Sequence, residues 1–513
     1  MRRITRRGLA IGSSIGALVL SGVSLWAAEP KGKEDATSTG SGRISAILQQ
    51  LPDRDVEAIT YEQQPKQEEA EAGEAIQPRE EAVELTTFDL TDPALSHWEL
   101  GPLTLDFGAQ WRYRFHYEDN LRLNGQDDAF LLRRARFWMD ANLAGLLLGR
   151  LEVIDAISYW EDLPPRFIDE NRWDFLNAWG EITLWNPDPE TRVAFRAGRQ
   201  ELLYGSQRLI SPLDWANTRR TFEGYRLYAK YGNFTADLFW VRPFPPNQHV
   251  NLDHNLDNAD QSQEFSGFWT SYQGSSYTVD MYFLRLKEQD NVVFGLSENP
   301  GDWDVNTIGG RWTGEYGNWL YDFEGGVQFG DYADLNWEGA GFWTAGLGYR
   351  WSEHWWRPEF WVFYDWASGD TDPTDGKRET ANQYFPFGHY YLGWADLVGR
   401  QNIESWNCRL SFTPVENVTL TAWYYIFWLE ESRDALYNAA GVPIRRDITG
   451  QSGRDVGQEL DLTILWKFKP GHALLFGYSR FYAGDFLANT GNGDDADFFY
   501  TQWVIGWPEA VGR

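Results

Sequence analysis

From residue 98 onward, apolar and polar side chains alternate with a period of two. Leu103, Leu105, Phe107, Ala109, Trp111, Tyr113, Phe115 and Tyr117 share one face, and Thr104, Asp106, Gln110, Arg112, Arg114 and His116 the other. An unbroken alternation of this length exceeds the usual soluble strand of about 3–10 residues and suits a tilted membrane-crossing one. It recurs. Ala135, Phe137 and Met139 oppose Arg134, Arg136 and Asp140, and Trp319, Tyr321, Phe323 and Val327 oppose Asp322, Glu324 and Gln328. Trp406, Cys408 and Leu410 oppose Ser405, Asn407 and Arg409, and Leu460, Leu462 and Ile464 oppose Glu459, Asp461 and Thr463. Apolar-out, polar-in dyads rich in aromatics predict an all-β transmembrane antiparallel β-barrel.

Eighteen candidate strands start near Leu103, Phe130, Leu148, Trp173, Arg192, Arg220, Asn233, Glu264, Ser276, Asp304, Asn318, Gly339, Pro358, Asn402, Asn417, Gln458, His472 and Asp497. Sixteen is the alternative count, because parity breaks near Leu148 and Ser276 and implies bulges there. Short turns such as Ala144-Gly145, Tyr231-Gly232 and Pro470-Gly471 follow the even strands, and longer polar segments such as 243–263, 368–400 and 430–457 follow the odd ones. Short periplasmic turns alternating with long extracellular loops is the asymmetry of an outer-membrane barrel. An even strand count returns both ends to the periplasmic side.

Before the barrel the chain has a different character. Arg2, Arg3, Arg6 and Arg7 precede a small apolar run, and Trp26-Ala27-Ala28 provides a cleavage site, so residues 1–28 read as an export signal. Residues 29–97 are acidic, with Glu68, Glu69, Glu71, Glu74, Glu80, Glu81 and Glu84 and almost no aromatics. Such a segment buries too little apolar area to offset chain entropy and reads as a disordered periplasmic linker with room for a periplasmic partner. The barrel domain is assigned to residues 98–513.

Composition removes most other classes. No apolar run of helical-span length exists beyond the N-terminus. One Cys and 7 His exclude a disulfide scaffold and argue against a structural zinc cluster. A net charge of -30 disfavours nucleic acid. No HExxH occurs, and Gly477-Tyr478-Ser479-Arg480-Phe481 lacks the second glycine of a nucleophile elbow. Asp370-x-Asp372-x-x-Asp375-Gly376 lacks the distal glutamate of a calcium loop and reads as a solvated loop. No cofactor, metal or catalytic group is expected, and the protein is read as a non-enzyme.

Inward parity falls on Arg112, Arg114, Arg134, Arg136, Arg192, Arg196, Arg226 and Arg409, and on Asp140, Glu181, Asp365, Glu459 and Asp461. Guanidinium forks suit carboxylates, so unpaired members of this set would give anion selectivity. Paired members would brace the wall as cross-strand ion ladders. The four arginines on the first two strands form a positive patch unless Asp106, Asp140 or another acid neutralises them.

One stretch is more specific than alternation. Residues 198–227 contain Gly198-Arg199-Gln200-Glu201-Leu202, Pro212-Leu213-Asp214-Trp215 and Arg220-x-Phe222-x-Gly224. With Tyr364-Asp365-Trp366-Ala367-Ser368-Gly369-Asp370, Phe385-Pro386-x-Gly388-His389, Gly399-Arg400-Gln401-Asn402 and Gly457-Gln458-Glu459-Leu460-Asp461, the chain resembles the alginate export family of outer-membrane porins. The resemblance implies a monomeric 18-stranded barrel with a charged lumen that releases an anionic polysaccharide. The expected function is an outer-membrane channel for an anionic polysaccharide or oligosaccharide. A general small-solute porin is the alternative; a barrel-type hydrolase and a soluble carbohydrate-binding β protein rank below it.

Overall fold

The computed structural model describes residues 97–245, 256–294, 296 and 300–507. The export signal and nearly all of the acidic segment expected before the barrel lie outside the described residues. Among the described residues, twenty strands join one sheet. Eighteen of them form the wall: β1 Leu103–Asp119, β2 Asp127–Leu143, β3 Leu147–Tyr159, β4 Asn171–Asp188, β5 Thr191–Gln200, β6 Phe222–Tyr231, β7 Phe234–Pro243, β8 Gln263–Gln273 and β9 Tyr277–Phe294. The second half is β10 Pro300–Tyr316, β11 Trp319–Tyr332, β12 Leu335–Arg350, β13 Glu359–Ala367, β14 Ile403–Val415, β15 Val418–Trp428, β16 Asp455–Lys469, β17 His472–Ala483 and β18 Ala496–Trp507. Each pairs antiparallel with its sequence neighbours. The sheet closes where β18 pairs with β1, from Ala109 opposite Trp507 to Asp119 opposite Asp497. Closure satisfies every strand edge inside the lipid, which an open sheet could not do.

The other two strands are short additions, His97–Leu100 and Lys377–Arg378. His97–Leu100 pairs with Leu103–Asp106, the stretch of β1 that lies beyond the reach of β18. The expected count of eighteen and the expected strand starts hold, to within about four residues at β10 and β12. The turns after even strands form one rim and the long loops the other. One long-loop connection is itself tight, since β11 ends at Tyr332 and β12 begins at Leu335. Of the two strands with broken parity, β3 shifts register against β4 at Val153 and Ala156, and β9 shifts against β10 between Glu288 and Val293.

Alternation sorts the faces as the sequence predicts. Along β1, Gln110, Arg112, Arg114 and His116 are buried while Tyr113 and Tyr117 are exposed outward. Along β11, Asp322, Glu324 and Gln328 are buried and Trp319, Val327 and Phe329 are exposed. Cys408 sits on the outward face between exposed Trp406 and half-buried Leu410. Among the described residues no helix is long and apolar enough to cross a membrane, so crossing falls to the strands.

The outward apolar band has a sharp upper limit. Asp155, Arg242, Arg285 and Arg480 each stand eight positions beyond the start of their strand at the short-turn rim, at Leu147, Phe234, Tyr277 and His472. All four face outward in ion pairs: Arg133–Asp155, Arg242–Glu264, Arg285–Asp304 and Arg480–Asp497. At about 3.3 Å per residue and a tilt near 40°, this charged belt lies about 20 Å above the short turns, close to the height of a barrel's apolar band.

Candidate functional site

Two loops of the long-loop rim fold back into the barrel. The first, residues 201–221, crosses it. At one end Arg134 on β2 donates to the Asp214 carboxylate at 2.8 Å. At the other, Arg208 donates to Asp322 at 2.7 Å and to Glu324 at 2.9 Å, both on β11. Strands β2 and β11 are nine apart in a wall of eighteen, so the loop spans a full diameter.

This loop also solves an electrostatic problem in the wall. Arg112 and Arg134 are directly opposite each other on adjacent strands, a pairing that repels. The loop presents its carbonyl ends to them. Arg112 donates to the carbonyls of Asp214 at 2.5 Å and Ala216 at 3.0 Å, and Arg114 donates to that of Trp215 at 2.8 Å. Arg134 donates to the Asp214 carbonyl at 3.0 Å as well. Burial raises the pKa of Asp214, but Arg134, Arg219, Arg112 and Arg136 more than offset it and hold the carboxyl well below its ordinary range.

The second loop, 368–402, packs on the first. The Trp215 ring lies between the Arg114 guanidinium, 3.6 Å from its centroid, and the His389 ring, stacked at 3.6 Å. Main-chain bonds join the two loops: Ser211 donates to Phe385, Phe385 to Leu209 and Phe387 to Gln207. From the wall, Asp461 accepts from the Trp394 amide at 3.2 Å and Glu459 from the Ala395 amide at 2.8 Å. Gly393 has φ +92, a conformation that glycine adopts readily, and a Cβ there would collide with the Glu459 carboxylate. Asp365 on β13 accepts from Arg400 at 2.7 Å, Thr344 at 2.6 Å and Asn407 at 3.0 Å. Arg409 on β14 donates to Tyr390 at 2.5 Å and to Glu359 at 3.2 Å.

The candidate residues therefore divide in two. Arg112, Arg114, Arg134, Arg409, Asp365, Glu459 and Asp461 all point inward, but they hold the two loops and are not open to the lumen. The positive patch expected from the first two strands is neutralised, by Asp214, by loop carbonyls, and at Arg136 by Glu152 at 2.7 Å. The second group lies nearer the short-turn rim. Glu181 accepts from Arg192 at 2.6 Å and from Arg196 at 2.7 Å, and Arg226 pairs with Asp237 at 2.5 Å. Asp140 lies 3.7 Å from Arg150. Here the arginines keep contact with solvent, with side-chain exposures of 18% for Arg192, 22% for Arg196 and 21% for Arg226. Arg196 also lies over Trp179, 3.7 Å from the ring centroid.

Sequence reading missed Arg208, Asp214, Trp215, Arg219 and His389 as structural agents. All five lay inside the stretches that carry the family resemblance, which was the available signal.

Two acids in the long loops titrate high. Burial raises Asp169 to about 6 despite Arg166, and burial with Asp434 nearby raises Asp370 to about 6. A raised carboxyl stabilises the folded loop in its protonated form. That contribution is complete below the ordinary carboxyl value near pH ~4 and is lost as pH rises through about 6. Amide protection factors in residues 160–170 and 368–402, corrected for intrinsic exchange, are expected to be higher at pH 5 than at pH 7.5. Equal protection would show that these acids do not hold the loops.

A model of the alginate export family matches residues 103–501, the first strand to the last. The chain belongs to the alginate export family. Its family and fold are those of outer-membrane channels. Among solved structures it resembles OccD3 (OpdP) of Pseudomonas aeruginosa, at 12% identity over 84% of this chain and 99% of that one, with a TM-score of 0.53. It also resembles OccAB1 of Acinetobacter baumannii, at 13% identity over 79% of this chain and 96% of that one, with a TM-score of 0.52. At these identities the likeness is one of fold. No curated protein matches the sequence.

Proposed function

We propose that this outer-membrane channel passes an anionic polysaccharide or oligosaccharide. The observation that carries the reading is the solvent-contacting guanidinium cluster Arg192, Arg196 and Arg226 beside Trp179, on the inward face near the short-turn rim. Guanidiniums offer forked donors to carboxylates, and an indole face offers a stacking surface to a sugar ring. The acids Glu181 and Asp237 keep each contact weak, as passage along a chain of sites requires. Single-channel current in planar bilayers tests this. Oligouronates are expected to block current more strongly than neutral oligosaccharides of equal length, and Arg192→Ala with Arg196→Ala should reduce the difference. Equal block by both would favour the second reading, a small-solute porin. That reading has its own support in the loop that spans the lumen.

In this proposal the short turns and both chain ends are periplasmic, residues 1–28 are the export signal, and the residues from 29 up to the strand that begins at His97 are a periplasmic linker. A cysteine at Thr449, exposed in the 429–454 loop, should react with an impermeant thiol reagent on intact cells, and one at Glu416, exposed in a short turn, should not. The reverse result would invert the orientation. The native Cys408 should stay unlabelled in both, since it faces lipid.

A further inference from the structure

The charged belt is not uniform. Arg242 pairs with Glu264 and Arg285 with Asp304, and Lys287, opposite both acids, makes three cations to two carboxylates. Arg480 faces two acids, Asp495 and Asp497. At the junction of β2, β3 and β4 the ratio is inverted, because Arg133 and Arg172 share the single carboxylate of Asp155. Ala135 on the outward face of β2 is directly opposite Asp155, which places this trio on the outside of the wall. The register break between Ile154 and Ala156 is what brings Arg172 over Asp155.

Asp155 is capped, with its side chain 3% exposed, while the arginines above it remain 27% and 25% exposed. Each guanidinium has five N–H donors, and one from each reaches the carboxylate. Two indoles close by in sequence are exposed, Trp160, five residues after Asp155, at 68% and Trp173, next to Arg172, at 56%. Both residues have positive φ, 68° and 50°, an uncommon conformation for a bulky side chain. Indoles favour the boundary between hydrocarbon and headgroups.

We propose that Arg133 and Arg172 form a site for the phosphate of an outer-leaflet lipid, with Trp160 and Trp173 against its apolar portion. A net positive pair facing hydrocarbon would be costly, whereas at headgroup height a phosphate accepts forked hydrogen bonds from both guanidiniums. The site is on the outside of the wall and takes no part in passage through the lumen. It rests on the proposed orientation only for the choice of leaflet.

The test uses the full chain purified in detergent and native mass spectrometry. The probes are bis-phosphorylated lipid A, the same lipid with its phosphates removed, and inorganic phosphate. The parent is expected to retain the bis-phosphorylated lipid, with Arg133→Gln/Arg172→Gln weakening it about tenfold through the loss of two charge-assisted contacts. Arg285→Gln elsewhere on the belt should leave it unchanged. Arg172→Gln alone provides an intermediate loss if the double variant folds poorly, and heat-modifiable gel mobility reports folding. Equal retention by parent and variants, or equal binding of the dephosphorylated lipid, would overturn the site. Competition by inorganic phosphate at equal concentration would overturn the lipid as its occupant. The thiol-labelling experiment on Thr449 and Glu416 fails independently of these outcomes, so a wrong leaflet is distinguishable from a wrong site.

Discussion

Replacing residues 205–218 by a short glycine-serine connection is expected to raise single-channel conductance several-fold. The loop is tied to β2 through Asp214 and to β11 through Arg208, on opposite sides of the wall. Its removal takes a bar out of the middle of the lumen and leaves the outward face untouched. The wall should still assemble, because the loop contributes no strand to it. Unchanged conductance, with folding verified by heat-modifiable mobility, would mean that ions pass elsewhere. The excision also strands Arg112 and Arg134 opposite each other, so the shortened channel should shift toward anions. Reversal potential across a salt gradient reads that shift.

The second large effect is expected at Asp214. Its carboxylate meets Arg134 and Arg219 directly and lies under the field of Arg112. Removing one partner of a buried ion cluster leaves uncompensated charge and typically costs about 3–5 kcal/mol. Asp214→Ala should therefore release the crossing loop while the barrel persists. The readouts are new protease cleavage within 201–221 and larger current fluctuations. The pH dependence has a definite sign. A depressed carboxyl stabilises above its ordinary value near ~4 and loses that contribution only as pH falls through the depressed one. The crossing loop should stay clamped in mild acid, in which Asp169 and Asp370 already take up protons.

The strands were legible because lipid selects one face of each. Between the short turns and the charged belt, every second residue must be apolar, and starts such as Leu103 and His472 fall where the alternation begins. Above the belt that selection ends. The 17 residues of β10 begin at Pro300, four before the Asp304 at which alternation becomes readable. The site was half legible. Parity assigns Arg112, Arg134 and Glu459 to the lumen side, but parity carries no information on what meets them there. The partner of Arg134 is 80 residues away in a loop with no period, and Arg208, in that same loop, reaches partners on β11 that are 114 and 116 residues away. Pairing in such a lumen is set by chain return, which leaves no local trace.

The short strand His97–Leu100 has a consequence for how the cylinder finds its dimensions. A sideways slip of β18 by four residues along β1 would keep every side chain on its proper face, so alternation alone cannot forbid it. Yet the next stretch of β1 below Ala109 is not vacant for long, because Leu103–Asp106 already holds His97–Leu100. That hairpin joins near neighbours in sequence, and such contacts form in microseconds, far ahead of a pairing between the two ends of the chain. It acts as a mechanical stop. The final strand can zip down only to the point where the first has already folded against its own lead-in, so four residues that precede the cylinder set a limit on its stagger.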